Sequence, residues 1–192
     1  LVAVHLSSQA IEQGGIDLAL IVNISKITYQ DIWFLEKQSM LESKTVQPFG
    51  MNSNSVLFSE GYSVMLLESE QHRQARGVNY GISIKTAYNQ MNVGRSNDAF
   101  WKSTRIYKLI HKTLDDTGVI VRDLCAMIPH ANGSALSDSV EANVINMLTG
   151  EQSLPVLAYK GQVGYTATGS GIVDLIIGYY SLADEELVMP VG

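Results

Sequence analysis

The chain has 192 residues, 46% of them hydrophobic, a formal charge of −6 and a single cysteine, enough for one substantial globular core but not for a disulfide or a multi-cysteine zinc site. The acidic balance argues against nucleic acid, the four histidines show no metal-ligand spacing, and no apolar run reaches the ~18 residues needed to cross a bilayer. The first residues lack a charged start and cleavage site, so the expectation is a soluble, cytoplasmic protein without bound metal or cofactor.

Residues 1–13 begin apolar on every side and stop at Gly14-Gly15, which predicts a helix inside a protein rather than on its surface. Residues 16–24 are a nearly continuous apolar run of strand length, as in a strand covered on both faces. The polar stretch 29–55 reads as an irregular excursion with a short helix. A second strand is predicted over 56–68, interrupted by Gly61, then a short polar helix, a third strand near 78–86 and a loop to about Asn97.

Over 99–117, Ile106, Leu109, Ile110 and Leu114 recur at helical spacing before Gly118, with Lys102, Arg105, Lys108 and Lys112 on the other side. A fourth strand near 124–129 leads into His130-Ala131-Asn132-Gly133. Asp138 and Glu141 predict a capping pair that opens a helix to Leu148, closed by Gly150. A short strand at 154–158, a glycine-rich loop at 161–171 and an apolar helix to about Leu182 follow. Strands alternating with helices predict an α/β fold with a mostly parallel sheet, burying Leu18, Leu20, Leu66, Ile82 and Ile128.

In series, these segments resemble the β-ketoacyl synthase family of condensing enzymes. Leu-Val-Ala-Val-His-Leu at 1–6, Gln9-Ala10 and Asp17-Leu18-Ala19-Leu20 are similar to the buried helix and strand that follow the family's nucleophilic cysteine. Gln47-Pro48-Phe49 resembles its Arg-Pro-Phe-Asp, and Val56 through Glu68, with Ser59-Glu60-Gly61, its Gly-Glu-Gly strand. His130-Ala131-Asn132-Gly133 stands at its His-Gly-Thr motif, with Leu136, Asp138 and Glu141 in register; Lys160 and Gly164 match its lysine and the glycine of Thr-Gly-His.

Two departures matter. Ala131-Asn132-Gly133 replaces Gly-Thr-Ser, and Tyr165 replaces the second catalytic histidine. Chain-length factors, the silent partners of polyketide ketosynthases, show a similar His-Ala-Asp-Gly stretch and a glycine-rich run before Leu-Asp, here Thr168-Gly169-Ser170-Gly171-Ile172-Val173-Asp174. The resemblance implies a thiolase-like layered αβαβα fold, of which the chain spans only the rear part: 1–76 the rear of the first half, 77–192 most of the second.

Decarboxylative condensation needs a thiolate and two neutral imidazoles. By resemblance His130 and Lys160 hold catalytic positions, while a lone histidine after a strand also fits a hydrogen-bonded structural role. Cys125, within an apolar strand, reads as a small core residue. Lys160 is either part of an ion-pair network, with Glu60 as candidate partner, or an exposed lysine at a strand end. The basic stripe on 99–117 is either a solvated face or a receiver for an acidic acyl carrier protein.

The resemblance thus implies a non-catalytic chain-length factor that forms a heterodimer with an active ketosynthase and shapes its acyl tunnel. Acyl groups would arrive on the phosphopantetheine of the carrier protein, and residues 16–24 would supply the subunit contact. The alternatives are a catalytic β-ketoacyl synthase whose cysteine lies in a preceding segment or another chain, and a scaffolding pseudo-enzyme.

Overall fold

The computed structural model describes residues 1–41, 45–51, 54–90 and 98–190. Helix α1, Val2–Glu12, is followed by strand β1, Leu18–Ser25. Helix α2, Tyr29–Lys37, opens on a capping box in which the Thr28 hydroxyl accepts from the Asp31 amide and the Asp31 carboxylate from the Thr28 amide. Strand β2, Gly61–Glu68, and helix α3, Glu70–Ala75, come next.

The second part of the chain is helical. Helix α4, Ala99–Thr117, ends at Gly118, whose φ of 66° closes it in the left-handed conformation that the stop signal anticipates. Helix α5, Ala135–Thr149, ends at Gly150. The single turn α6, Lys160–Val163, and helix α7, Ser170–Ala183, complete the order. Helices α4 and α5 pack together around Ser103, whose buried hydroxyl donates to the Ala99 and Val140 carbonyls at 2.7 and 3.0 Å. The end of the predicted loop at Asn97 lies outside the described residues.

The mostly parallel sheet requires correction. The described residues form one two-stranded antiparallel sheet, with Leu20 opposite Leu66 and Val22 opposite Val64, plus isolated parallel bridges Phe58–Tyr165 and Met127–Val156. Segment 78–86 pairs with no strand among the described residues. The predicted strands 124–129 and 154–158 are reduced to one bridge and its bonds, Met127 N to Pro155 O at 2.8 Å and Leu157 N to Met127 O at 2.9 Å. An apolar run records a capacity for burial; becoming a strand requires a partner edge in register.

Burial departs in the same way. One face of the β1–β2 sheet is covered: Ile21 meets Val4 of α1 and Ile172 of α7, with Met65, Leu67, Leu175 and Ile176 packed around them. The other face carries Leu18, Leu20, Val22 and Ile24 of β1 beside Tyr62, Val64 and Leu66 of β2, all exposed, Leu20 to 65%. Ile82 is exposed too and Ile128 only half-buried, contrary to expectation, and α1 buries only Val4. No described helix is long and apolar enough to cross a membrane.

This asymmetry is measurable. Ile172→Ala removes a side chain at the centre of the covered face and is expected to cost about 2–5 kcal/mol, lowering the urea midpoint. Leu20→Ala on the open face is expected to change the same midpoint by less than about 0.5 kcal/mol equivalent.

Candidate site around His130 and Lys160

The loop that carries His130 is held by carboxylates from α5. Glu141 accepts from the backbone amides of His130 and Ala131, at 2.7 and 2.6 Å, one oxygen to each. Ala131 is fully buried with φ of 36°, a left-handed conformation costly for a residue with a Cβ, and the Glu141 bond supports it. Gly133 has φ of 88°, and a Cβ there would stand 2.2 Å from the Ser55 carbonyl oxygen, so the turn requires glycine.

Asp138 and Glu141 are therefore not the capping pair the sequence suggested. Ser134 is the N-cap residue, and Asp138 is buried, accepting from the Phe49 amide at 2.8 Å. Its other oxygen has no hydrogen-bond partner among the described residues. Burial raises the pKa of both carboxyls, against the pull of the amides that donate to them.

Lys160 is 1% exposed, which excludes the exposed-lysine alternative. Its Nζ donates to the Asp174 carboxylate and to the Pro129 carbonyl at 3.4 Å. The anticipated partner Glu60 instead accepts from the Ile27 amide at 3.0 Å on the surface. Asp174, on α7, is the Lys160 partner that residue-level reasoning passed over. Its signal is a single carboxylate inside the apolar run Ile172-Val173-Asp174-Leu175-Ile176-Ile177. Burial raises the Asp174 pKa, and the Lys160 hydrogen bond opposes that shift.

The His130 side chain is exposed and borders a concave surface. Loss of water around the ring, then the Lys160 ammonium, lowers its pKa, while Asp174 and Asp138 pull the other way; the balance favours neutral imidazole. Tyr165 stands against it, ring centroids 5.2 Å apart and nearly perpendicular, and stacks on Phe58 at 5.4 Å. Burial raises the Tyr165 pKa, so its phenol stays protonated. Gly164, φ 76°, gives the chain the room it needs here: a Cβ would lie 2.6 Å from the Ser59 side chain.

A cavity of about 1150 Å³ adjoins His130 and Asp174, walled by Val64, Leu66, Ile84 and Leu175 among others. Cys125 is exposed rather than in the core, because the strand that would have buried it is reduced to a single bridge. It opens onto a different cavity of about 330 Å³, with Leu157, Ser181 and Glu185. The basic stripe also divides. Arg105 lies over Trp101 and Lys112 pairs with Asp116, whereas Lys102 borders the cleft that contains His130 and Glu141. Among the described residues no group of histidine, cysteine, aspartate or glutamate could hold a metal ion.

Two outcomes follow from these burials. Lys160→Met strands the Asp174 carboxylate and is expected to cost roughly 3–5 kcal/mol in chemical denaturation, most of it recovered in Lys160→Met with Asp174→Leu. Asp138 binds its proton more tightly folded than unfolded, so its contribution is fully present below the unfolded value near pH ~4 and is lost as pH rises through the raised folded value. Asp138→Asn, which keeps an acceptor for Phe49, is expected to gain stability over wild type as pH increases across that window.

The chain is similar to known proteins along nearly its whole length. The family model described as beta-ketoacyl synthase, N-terminal domain, matches residues 1–73, and the model of its C-terminal domain matches residues 80–191. Spectinabilin polyketide synthase system protein NorC of Streptomyces orinoci is 26% identical over 186 residues, 92% of this chain and 8% of that protein. The 3-oxoacyl-(acyl-carrier-protein) synthase 2 of Mycobacterium tuberculosis is 26% identical over 145 residues, 72% of this chain and 33% of that protein. Among solved structures, the oxazolomycin ketosynthase domain OzmH KS7 of Streptomyces albus superposes with a TM-score of 0.83 at 20% identity, covering 99% of this chain and 35% of that one. The ishigamide ketosynthase/chain length factor gives 0.76 at 22%, covering 93% and 44%. The chain thus spans half or less of these proteins' length, shares the ketosynthase fold, and belongs to the β-ketoacyl synthase family.

Proposed function

We propose that this chain contributes shape rather than chemistry to carbon–carbon bond formation, as the chain-length-factor type of subunit in a polyketide-forming condensing complex. The observation that carries the reading is Tyr165, a protonated phenol packed against His130, which by resemblance stands at the position of the family's second imidazole. A phenol that titrates above its ordinary value near pH ~10 cannot take up the proton that an imidazole does at neutral pH. The one thiol, Cys125, opens onto a cavity that His130 does not line. In this reading residues 1–76 and 77–192 belong to the two halves of the fold. The partner is an active ketosynthase, paired through the β1 region, and acyl chains arrive on the phosphopantetheine of a carrier protein.

One observation favours a second reading, a catalytic β-ketoacyl synthase whose cysteine comes from elsewhere. His130 kept neutral beside a buried Lys160–Asp174 pair is a polarised site, and such a site suits hydrogen bonding to a thioester carbonyl. One experiment separates the readings: the protein carrying this chain, reconstituted with an active ketosynthase and malonyl-loaded carrier protein, is assayed with His130→Ala. The shape reading expects less than about a tenfold loss, whereas general acid–base catalysis by His130 expects roughly 100-fold or more. Removing the partner's cysteine is expected to abolish turnover, and condensation by this protein alone refutes the proposal.

A further inference from the structure

We infer that Phe58 is a positioning residue for His130, acting through Tyr165: the three rings form a brace that holds the imidazole in the cavity wall. This goes beyond the chain-length reading, because it concerns how the ring is fixed and not what the assembly makes.

The need for a brace comes from what the imidazole lacks. Glu141 holds only the backbone amide of His130, and among the described residues no hydrogen bond reaches the ring itself. Its orientation therefore depends on van der Waals and quadrupole contacts. Tyr165 supplies them, its ring at 87° to the imidazole with centroids 5.2 Å apart. Tyr165 in turn stacks on Phe58 at an interplanar angle of 21°.

The base of this stack is rigid. Ser59 N donates to Tyr165 O at 3.1 Å, Tyr165 N donates to Leu57 O at 2.7 Å, and the Ser59 hydroxyl donates to Val163 O at 3.0 Å. The close approach of Ser59 at Gly164 leaves the bridge no space to slide. Phe58 thus sits on the partner segment of the Tyr165 bridge, and the backbone carries both rings into register. His130 borders the cavity of about 1150 Å³ while Phe58 and Tyr165 do not, so the stack backs the imidazole instead of lining the space.

The charged groups that face the ring are Lys160 from α6, and Asp174 and Asp138 from α7 and α5, with Glu141 on its amide. None of these touches Phe58 through a hydrogen bond or ion pair among the described contacts. The segment of Phe58 also meets the His130 loop where Gly133 closes onto Ser55, so the Tyr165 variants are what separate the ring stack from that backbone contact.

The test uses the protein carrying this chain with labelled histidines, following the His130 ring resonances and their titration midpoint by NMR. Tyr165→Phe keeps the stack and loses only a hydroxyl without a described hydrogen bond, so both readouts stay at wild-type values. Phe58→Leu and Tyr165→Leu admit water behind the ring, moving its protons toward unstructured shifts and raising the midpoint toward ~6.5. Phe58→Met, apolar but without a π face, carries the decision if Phe58→Leu does not fold. Folded Phe58 variants with unchanged His130 resonances and midpoint overturn the inference, whatever the turnover of the reconstituted complex.

Discussion

A buried ammonium must keep an anion within reach, and Lys160 keeps Asp174. That requirement joins the single turn α6 to α7, and the second Lys160 bond, to the Pro129 carbonyl, fixes the residue next to His130. The same ammonium helps hold the imidazole neutral. Carboxylates on α5 then complete the loop from the other side, Glu141 through two amides and Asp138 through the Phe49 amide. The site is thus a polar knot between α5, α6 and α7, one ammonium among three carboxyls, and the cavity lies beside it between α7, the His130 loop and β2.

The polar knot tolerates little displacement, since two of its turns fit only without a Cβ. Gly133 lets the His130 loop close onto Ser55, and Gly164 lets the Tyr165 bridge close onto Ser59. In both places backbone meets a segment from the long connection between α2 and β2, so residues nearly eighty and more than one hundred positions apart are locked together. In the sequence that connection divides into a polar excursion to residue 55 and the start of the strand predicted over 56–68. In the fold it is the wall against which the site is built.

Helices were the legible part. Periodicity, caps and stop glycines are local properties, and Ala99–Thr117, Ala135–Thr149 and Ser170–Ala183 lie close to where those signals place them. Strands were less legible because pairing and cover are not local. The run from Leu18 to Ile24 announces burial on both faces, yet only Ile21 in it is fully buried among the described residues. For the candidate site, motif order pointed to His130, Lys160 and Tyr165, and the fold brings the three into one neighbourhood. Partners were harder to name: nothing local says that Lys160 takes Asp174 and not Glu60, because both carboxylates stand far from it in sequence and only chain packing chooses between them. Cys125 shows the same limit, its apolar neighbours indicating a core that the fold does not build there.

The β1–β2 pair turns a familiar arrangement round. Its covered side holds Asn23, Ser25 and Ser63 as well as Ile21, with the Ser25 hydroxyl bonded to the Thr166 carbonyl at 2.7 Å, while its open side is apolar from Leu20 to Ile24 and from Tyr62 to Leu66. Register therefore rests on inward polar contacts, since sliding by one residue would exchange one apolar row for another of mixed character. Water meets the open row unfavourably, and two such rows laid together would both be relieved of it. The consequence is an interfacial tension localised on one side of a two-stranded sheet, which any apolar cover would lower.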